Sequence, residues 1–300
     1  MKKFEDLMPP VDRIRKLTLP ALSQRRMAGT SFEILNLAET VLDSLCKRGK
    51  KFDLFTEYFL TVSAQSLNAW LGVPNAYRGE HERLYSRLSP DLGKGEDSNP
   101  EDALEQLLDS FVRIASNDSI APGLIDDLRR KQVSPTETGT ICCLMVMAGL
   151  EPTANASALA CLALGISDMS KVFSFSDLNV DELLRFDGPV FPGAFRWATE
   201  DTNIGGTAVF SGEMILLSLA AANRDESVFP SAKDLVPSRP NASQHLAFGA
   251  GLNRCVGAPL AKIIIQSSIT VIEDFEFRKI ETKWRDFALR GFVSIPAVPA

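Results

Sequence analysis

The longest apolar stretch of the chain does most to limit what it can fold into. From Ser134 it reads SPTETGTICCLMVMAGLEPTANASALACLALG, apolar on most helical faces. A helix that is apolar all round belongs in the middle of a large protein or in a membrane. SPTE supplies a serine N-cap, a proline at the first helical position and a glutamate three residues after the cap, so the helix is expected to begin there. The run ICCLMVMAGL is too short to span a bilayer and is closed by Glu151, so we expect a central core helix, kinked at Pro152. A chain of 300 residues, 45% of them apolar, has enough material to bury it.

The segments before it read as helices with polar connectors. Residues about 10–28 and 31–48 carry apolar residues three and four apart, and Gly49 stops the second run. A third helix, roughly 52–72, ends at LGVP, where Gly72 and Pro74 block continuation. The polar stretch LSPDLGKGEDSNPED (88–102) reads as a mobile loop, after which EDALEQLLDSFVRIAS resumes helical spacing. DELLRF (181–186) is a short helix stopped by Gly188-Pro189. Beyond it the apolar period falls from 3.6 to 2. FRWATEDTNIGGTAVFSGE is then a β-hairpin around Gly205-Gly206, and AKIIIQSSITVIEDFEF (261–277) a final helix running into a strand. The expected fold class is mainly α with a small β part, without internal repeats.

A net charge of −6 argues against a nucleic-acid partner, which calls for a basic patch. Five cysteines form no CxxC pair, so zinc is not indicated, and the odd count suits a reducing compartment. MKKFEDLMPP has no apolar core of a signal peptide. Together these predict a soluble, cytoplasmic protein with no membrane partner. His81 and His245 are the only histidines, too few for a multi-histidine metal site. His81, in the charged run GEHERLYSR, reads as a solvated surface residue, and His245 as a loop hydrogen-bonder. A P-loop nucleotide site is not indicated, since GxxxxGK[ST] is absent.

One stretch asks for a chemical explanation. In FGAGLNRCVGAPLAK, Gly249, Gly251 and Gly257 crowd around Cys255, just ahead of an apolar helix. Glycine permits positive φ and lets backbone come close to a flat partner. The plain alternative for a lone cysteine is a buried structural thiol, which needs no such company.

Here the chain resembles the soluble bacterial cytochromes P450. Phe248, Gly249, Gly251, Cys255 and Gly257 match that family's Phe-Gly-x-Gly-x-x-x-Cys-x-Gly pattern, and Ala258, Pro259, Leu260 and Ala261 continue it. ELLR at 182–185 is similar to the family's Glu-x-x-Arg, and RWATED at 196–201 to its hairpin. AGLEPT (148–153), AANRD (221–225) and HLAFG (245–249) fall in the same order, from PPVDRIRK (9–16) onward. The resemblance implies one P450-like domain over 1–300, helical over about 10–188, with the hairpin and cysteine loop over about 189–300. It implies a haem-thiolate monooxygenase, an oxidoreductase whose cofactor is heme (iron protoporphyrin IX). A ferredoxin-type partner would supply electrons, and a small apolar organic molecule would be the substrate.

By the same resemblance Cys255 is the metal ligand. A cysteine thiolate pushes electron density onto iron, and a helix start with nearby N–H groups keeps the sulfur deprotonated. Phe248, Gly249, Gly251, Asn253 and Gly257 would border the cofactor. Arg15 and Arg196 would meet its propionates, since a guanidinium fork suits a carboxylate, although Arg13 or Lys16 could serve in place of Arg15. Glu151, with Thr153 or water, would assist proton delivery. Glu182 and Arg185, at i and i+3, would form a buried pair bracing the cysteine loop.

The departures from the pattern bear on activity. A long N-terminal portion usual in the family is missing before PPVDRIRK, so the expectation is a truncated P450 whose distal side is open or closed by something else. Pro152 stands where the family commonly has a threonine hydroxyl and offers neither hydroxyl nor N–H. Thr153 is turned about 100° further round the helix, and replaces that group only if the kink re-aims it; otherwise it bonds a backbone carbonyl. Val11 and Asn253 occupy places of propionate-binding histidines. Asp234 falls where an arginine or histidine is usual, with Arg239 as the candidate to compensate. These departures keep open a catalytically inactive P450-like helper, a degenerate remnant, or a true start upstream.

Overall fold

The computed structural model describes residues 4–88, 99–117, 121–166, 179–190, 193–272, 283–284 and 289–297. The apolar run forms helix α7, Pro135–Ile166. Ser134 Oγ accepts the Glu137 N–H at 3.2 Å, as an N-cap should. Glu137 does not reach back to complete a capping box. Its carboxylate takes the Arg13 guanidinium at 2.5 and 2.9 Å, tying α1 (Val11–Thr18) to the start of α7. Ile141, Cys142, Cys143, Val146 and the turns from Ala154 to Cys161 are buried. α7 packs on α3 (Leu60–Leu71), α5 (Pro100–Ala115) and α10 (Ala258–Val271). Among the described residues Pro135–Leu164 is long and apolar enough to cross a membrane, yet 67% of its apolar window is buried inside the protein. That is the burial of a core helix.

Several boundaries differ from the sequence reading, each for a local reason. The expected helix over 10–28 divides: α1 ends at Thr18, a 3-10 turn carries Pro20, and α2 runs unbroken from Gln24 to Lys47. Proline supplies the break near residue 20, and α2 runs through the gap expected between 28 and 31. The expected 52–72 helix opens as a short strand, β1 (Phe52–Asp53), and a π-helical stretch over Leu54–Phe59 before α3. Gly72 ends α3 at φ 81°, the left-handed stop its sequence promised. The polar stretch 88–102 is shorter than expected, because Asn99 caps α5 and Pro100 begins it; residues 89–98 lie outside the described residues. The strand expected after α10 lies outside them too. Helices α4 (Asn75–Leu88) and α6 (Leu124–Arg130) were not anticipated.

His81 corrects the reading of its charged run. It is fully buried on the inner face of α4, its Nε2 2.8 Å from Ser110 Oγ and its ring 4.7 Å from that of Phe111. The charges of GEHERLYSR occupy the remaining faces of that helix.

After α8 (Val180–Phe186) come the predicted β elements. β2 (Gly193–Trp197) pairs antiparallel with β5 (Met214–Ser218), and β3 (Thr202–Ile204) with β4 (Thr207–Val209). Gly205 and Gly206, at φ 57° and 89°, make the turn between β3 and β4. Both central residues at positive φ is the geometry that a two-residue hairpin requires. A short helix α9 (Leu219–Ala222) then leads toward the cysteine loop.

Candidate functional site

Residues 246–257 fold as a loop closed by its own backbone. Gly249 N–H donates to Leu246 O at 2.8 Å, Arg254 N–H to Gly251 O at 3.1 Å, and Cys255 N–H to Phe248 O at 2.8 Å. Gly249 and Gly251 have φ of 68° and 73°, and a Cβ at either would meet nothing within 4 Å. Glycine is therefore needed for backbone angle, and the space beside both is open. Cys255 is exposed, whereas Cys142, Cys143 and Cys161 are buried. The structural-thiol alternative describes those three and not Cys255.

Protein atoms around the sulfur push the Cys255 thiol above its ordinary value. The Gly257 and Ala258 N–H groups, and the charges of Arg254 and Arg15, pull the other way by less. A sulfur so placed is ready to be held as thiolate by a cation facing it.

Arg15 on α1 donates to the Arg254 carbonyl at 2.7 Å and so fastens that helix to the loop. Arg196 on β2 is exposed and donates to the neighbouring Phe195 carbonyl at 2.7 Å. Neither has a carboxylate partner among the described residues, whereas Arg13 is engaged by Glu137. Asn253 is exposed, as are Val11 at 60% and Leu252 at 92%. Phe248 is partly buried against the core. The β2–β5 register places Phe195, Trp197, Met214 and Leu216 on one face, all exposed. So much bare apolar surface marks a place that something covers.

The proton-relay candidates on α7 are separated by the structure. Glu151 is half-buried and lines a cavity of about 240 Å³ with Tyr85, Leu104, Val146 and Met147. Thr153 is buried and does not line it. A larger cavity of about 740 Å³ adjoins along Glu101, Leu104 and Met147, and adds Phe4, Leu7 and Met8.

Behind the loop lies a buried ionic cluster. The fully buried Arg185 grips Glu182 at 2.6 and 2.8 Å and donates to the carbonyls of Asn223, Ala232 and Asp234. Arg239 adds its Nε at 2.9 and 3.0 Å from the Glu182 oxygens. It fills the role expected of the residue at 234, and Asp234 contributes only its backbone carbonyl. Sequence spacing missed a second cluster, Asp181–His245–Lys262, because its members lie on separate elements.

These residues fit a haem. An exposed sulfur receives two N–H groups, side-chain-free space lies beside the loop, and two guanidiniums without carboxylate partners are available for a dianionic edge.

Comparison with known proteins agrees. The cytochrome P450 family model matches residues 167–297. Cytochrome P450-SU2 of Streptomyces griseolus is 30% identical across 97% of this chain and 73% of its own length. The vitamin D(3) 25-hydroxylase of Pseudonocardia autotrophica is 32% identical across 86% of this chain and 66% of its own. A solved structure of the polyketide synthase cytochrome P450 PksS of Bacillus subtilis superposes with a TM-score of 0.81 at 25% identity, covering 100% of this chain and 84% of that one.

Proposed function

The chain belongs to the cytochrome P450 family, and from that premise we propose that Cys255 is the axial thiolate of a haem monooxygenase acting on a small apolar organic molecule, with electrons from a ferredoxin-type partner. The observation that carries this reading is the cysteine loop, with its exposed sulfur supported by the Gly257 and Ala258 N–H groups. Phe248, Gly249, Gly251, Asn253 and Gly257 would border the cofactor, and Arg15 and Arg196 would offer their remaining donors to its propionates. When bound, the haem supplies the oxygen chemistry, which a thiolate ligand favours.

The chain's own residues do the rest. Glu151 would hold a proton at its carboxylate beside the smaller cavity, and water there would pass it on, since Thr153 does not line that cavity. Phe4, Leu7, Met8, Leu104 and Met147 give the adjoining cleft apolar surface for such a substrate, alongside the carboxylates of Glu5, Glu101, Glu105 and Asp109. Arg254, exposed beside the cysteine, offers positive charge to an acidic ferredoxin, which raises encounter rate and selectivity. Unpaired cysteines are consistent with the reducing cytoplasm.

Pro152 favours a second reading, a P450-like helper that has given up turnover. It occupies the middle of α7 with neither hydroxyl nor N–H to offer. Haemin reconstitution, reduction and carbon monoxide test the first reading directly. A strongly red-shifted Soret band that vanishes in Cys255→Ala supports the thiolate assignment; an unchanged band in that variant removes it. Substrate-free electron consumption by the reconstituted protein then separates the oxygenase from the helper, which shows none.

A further inference from the structure

Asp181, at the start of α8, is the point where three segments of the chain meet. Its Oδ1 lies 3.0 Å from His245 Nε2 and 2.5 Å from Lys262 Nζ. His245 precedes the cysteine loop, and Lys262 sits in the first turns of α10, just beyond the loop's end. One carboxylate oxygen therefore ties both ends of the segment that carries Cys255 to a third element.

The imidazole has no freedom left. Its Nδ1 accepts the Ala247 N–H at 3.0 Å, so the ring proton sits on Nε2 and points at Asp181. His245 is 5% exposed and its ring centre lies 5.7 Å from that of Phe248, whose carbonyl takes the Cys255 N–H. The next amide, Leu246 N–H, is held by Asn223 Oδ1 at 2.7 Å. Hydrogen bonds thus run from Asp181 through His245 to the Ala247 amide, and Phe248, the next residue along the chain, accepts the Cys255 amide.

The anchor is firm. Burial pushes the Asp181 carboxyl up, but hydrogen bonds from His245 and Lys262 outweigh it and hold the pKa at about 2. The carboxylate is therefore charged at any working pH. Its neighbour Glu182 is locked in the buried arginine cluster, so α8 is a fixed post and not a mobile partner.

We propose that His245 is a positioning residue, which together with Asp181 and Lys262 holds the loop in the shape that presents Cys255 as a thiolate. This rests on the assignment of Cys255 made above. Removing the imidazole frees the Ala247 amide and slackens the start of the loop, while α8 and the ionic cluster behind it are untouched. Cys255 then loses its fixed relation to the Gly257 and Ala258 N–H groups that support its sulfur.

The test uses the full chain loaded with haem, as His245→Ala, His245→Gln and Lys262→Met. The ferrous carbon monoxide spectrum of His245→Ala should move most of its intensity from the thiolate band to that of a protonated or displaced cysteine. His245→Gln, whose amide can still donate to Asp181, should keep most of the thiolate band, and Lys262→Met should fall between. In the haem-free chain, amide exchange over 247–256 should be about tenfold faster in His245→Ala, the factor expected for one lost hydrogen bond. An unchanged thiolate band in His245→Ala overturns the proposal. So does reduced haem uptake with the bound fraction still wholly thiolate, because that is what a merely stabilising residue would produce. If His245→Ala fails to fold, Lys262→Met decides by the same band. If the parent chain shows no thiolate band, the Cys255 assignment falls, and exchange over 247–256 then judges the His245 tie alone, an unchanged rate overturning it.

Discussion

Glu182→Gln probes the cluster behind the cysteine loop with almost no change of shape. In the native protein the carboxylate accepts from Arg185 at 2.6 and 2.8 Å, from Arg239 Nε at 2.9 and 3.0 Å, and from the Val236 N–H at 2.9 Å. Glutamine fills the same volume, but turns an NH₂ toward a guanidinium and removes the only negative charge in the cluster. Two cations stay behind, Arg185 at 0% and Arg239 at 4% exposure. Breaking a buried ion pair from one side costs about 3–5 kcal/mol. At about 2–4 °C per kcal/mol for a chain of this size, that is a fall of at least roughly 6 °C in melting temperature. Thermal unfolding followed by circular dichroism, with and without haemin, measures it. Arg239→Met supplies the control: it leaves Glu182 and Arg185 as a neutral pair and deprives the Pro230 and Ser231 carbonyls of their donor. Its cost should be smaller, about 2–3 kcal/mol. A Glu182→Gln shift under about 2 °C is the surface-pair result, and would refute the reasoning. So would a larger loss in Arg239→Met than in Glu182→Gln.

Four further outcomes follow from other parts of the fold. Burial, and to a lesser degree Arg113, lowers the His81 pKa from 6.5 to about 4. The unfolded chain therefore binds the proton first, so stability is full above pH 6.5 and falls as pH drops toward 4, by about 3 kcal/mol. Urea midpoints between pH 4 and 7 should show this slope and should lose it in His81→Phe. Asp181 acts lower, its stabilisation present above pH 3.8 and lost as pH falls toward 2. Gly193→Ala would place a Cβ 1.8 Å from the Leu217 carbonyl oxygen, so β2 and β5 cannot keep their register; we expect a loss of about 3 kcal/mol in urea unfolding, and a wild-type midpoint would show that the strands pair otherwise. Pro152→Ala returns an N–H to the Ala148 carbonyl and should raise stability by about 1 kcal/mol; a drop in melting temperature would mean α7 depends on the proline.

Most of the helical architecture was legible because burial leaves a periodic trace. The run after Ser134 is apolar on most faces, and only a central position satisfies it. Gly72 and the Gly205-Gly206 pair were legible for a different reason, since each supplies a positive φ that other residues resist. Where the reading failed, one local signal had been weighed against another. A break was expected between residues 28 and 31, yet it falls at Pro20, where the missing N–H ends the helix. The charges around His81 hid a buried stripe, because GEHERLYSR puts its polar residues on three faces of α4 and its His81, Leu84 and Tyr85 on the fourth.

The candidate site divides along the same line. Cys255, Gly249 and Gly251 stand in one short contiguous loop, so the family pattern could be matched to them position by position. Glu182 and Arg185 could be recognised because i and i+3 share a helix face. Arg239, Asp181, His245 and Lys262 could not be assembled that way: Glu182 and Arg239 are 57 residues apart, and His245 and Asp181 are 64. Their meeting depends on where α8, the cysteine loop and α10 come to rest against α7, which is a property of the packed core. The residues that shape the sulfur's surroundings were thus readable up to the loop's own ends. The post to which those ends are tied appears only when the chain is folded, which is why His245→Ala, at the loop's edge and not beside the sulfur, should change the sulfur's spectrum when most other loop-flanking substitutions do not.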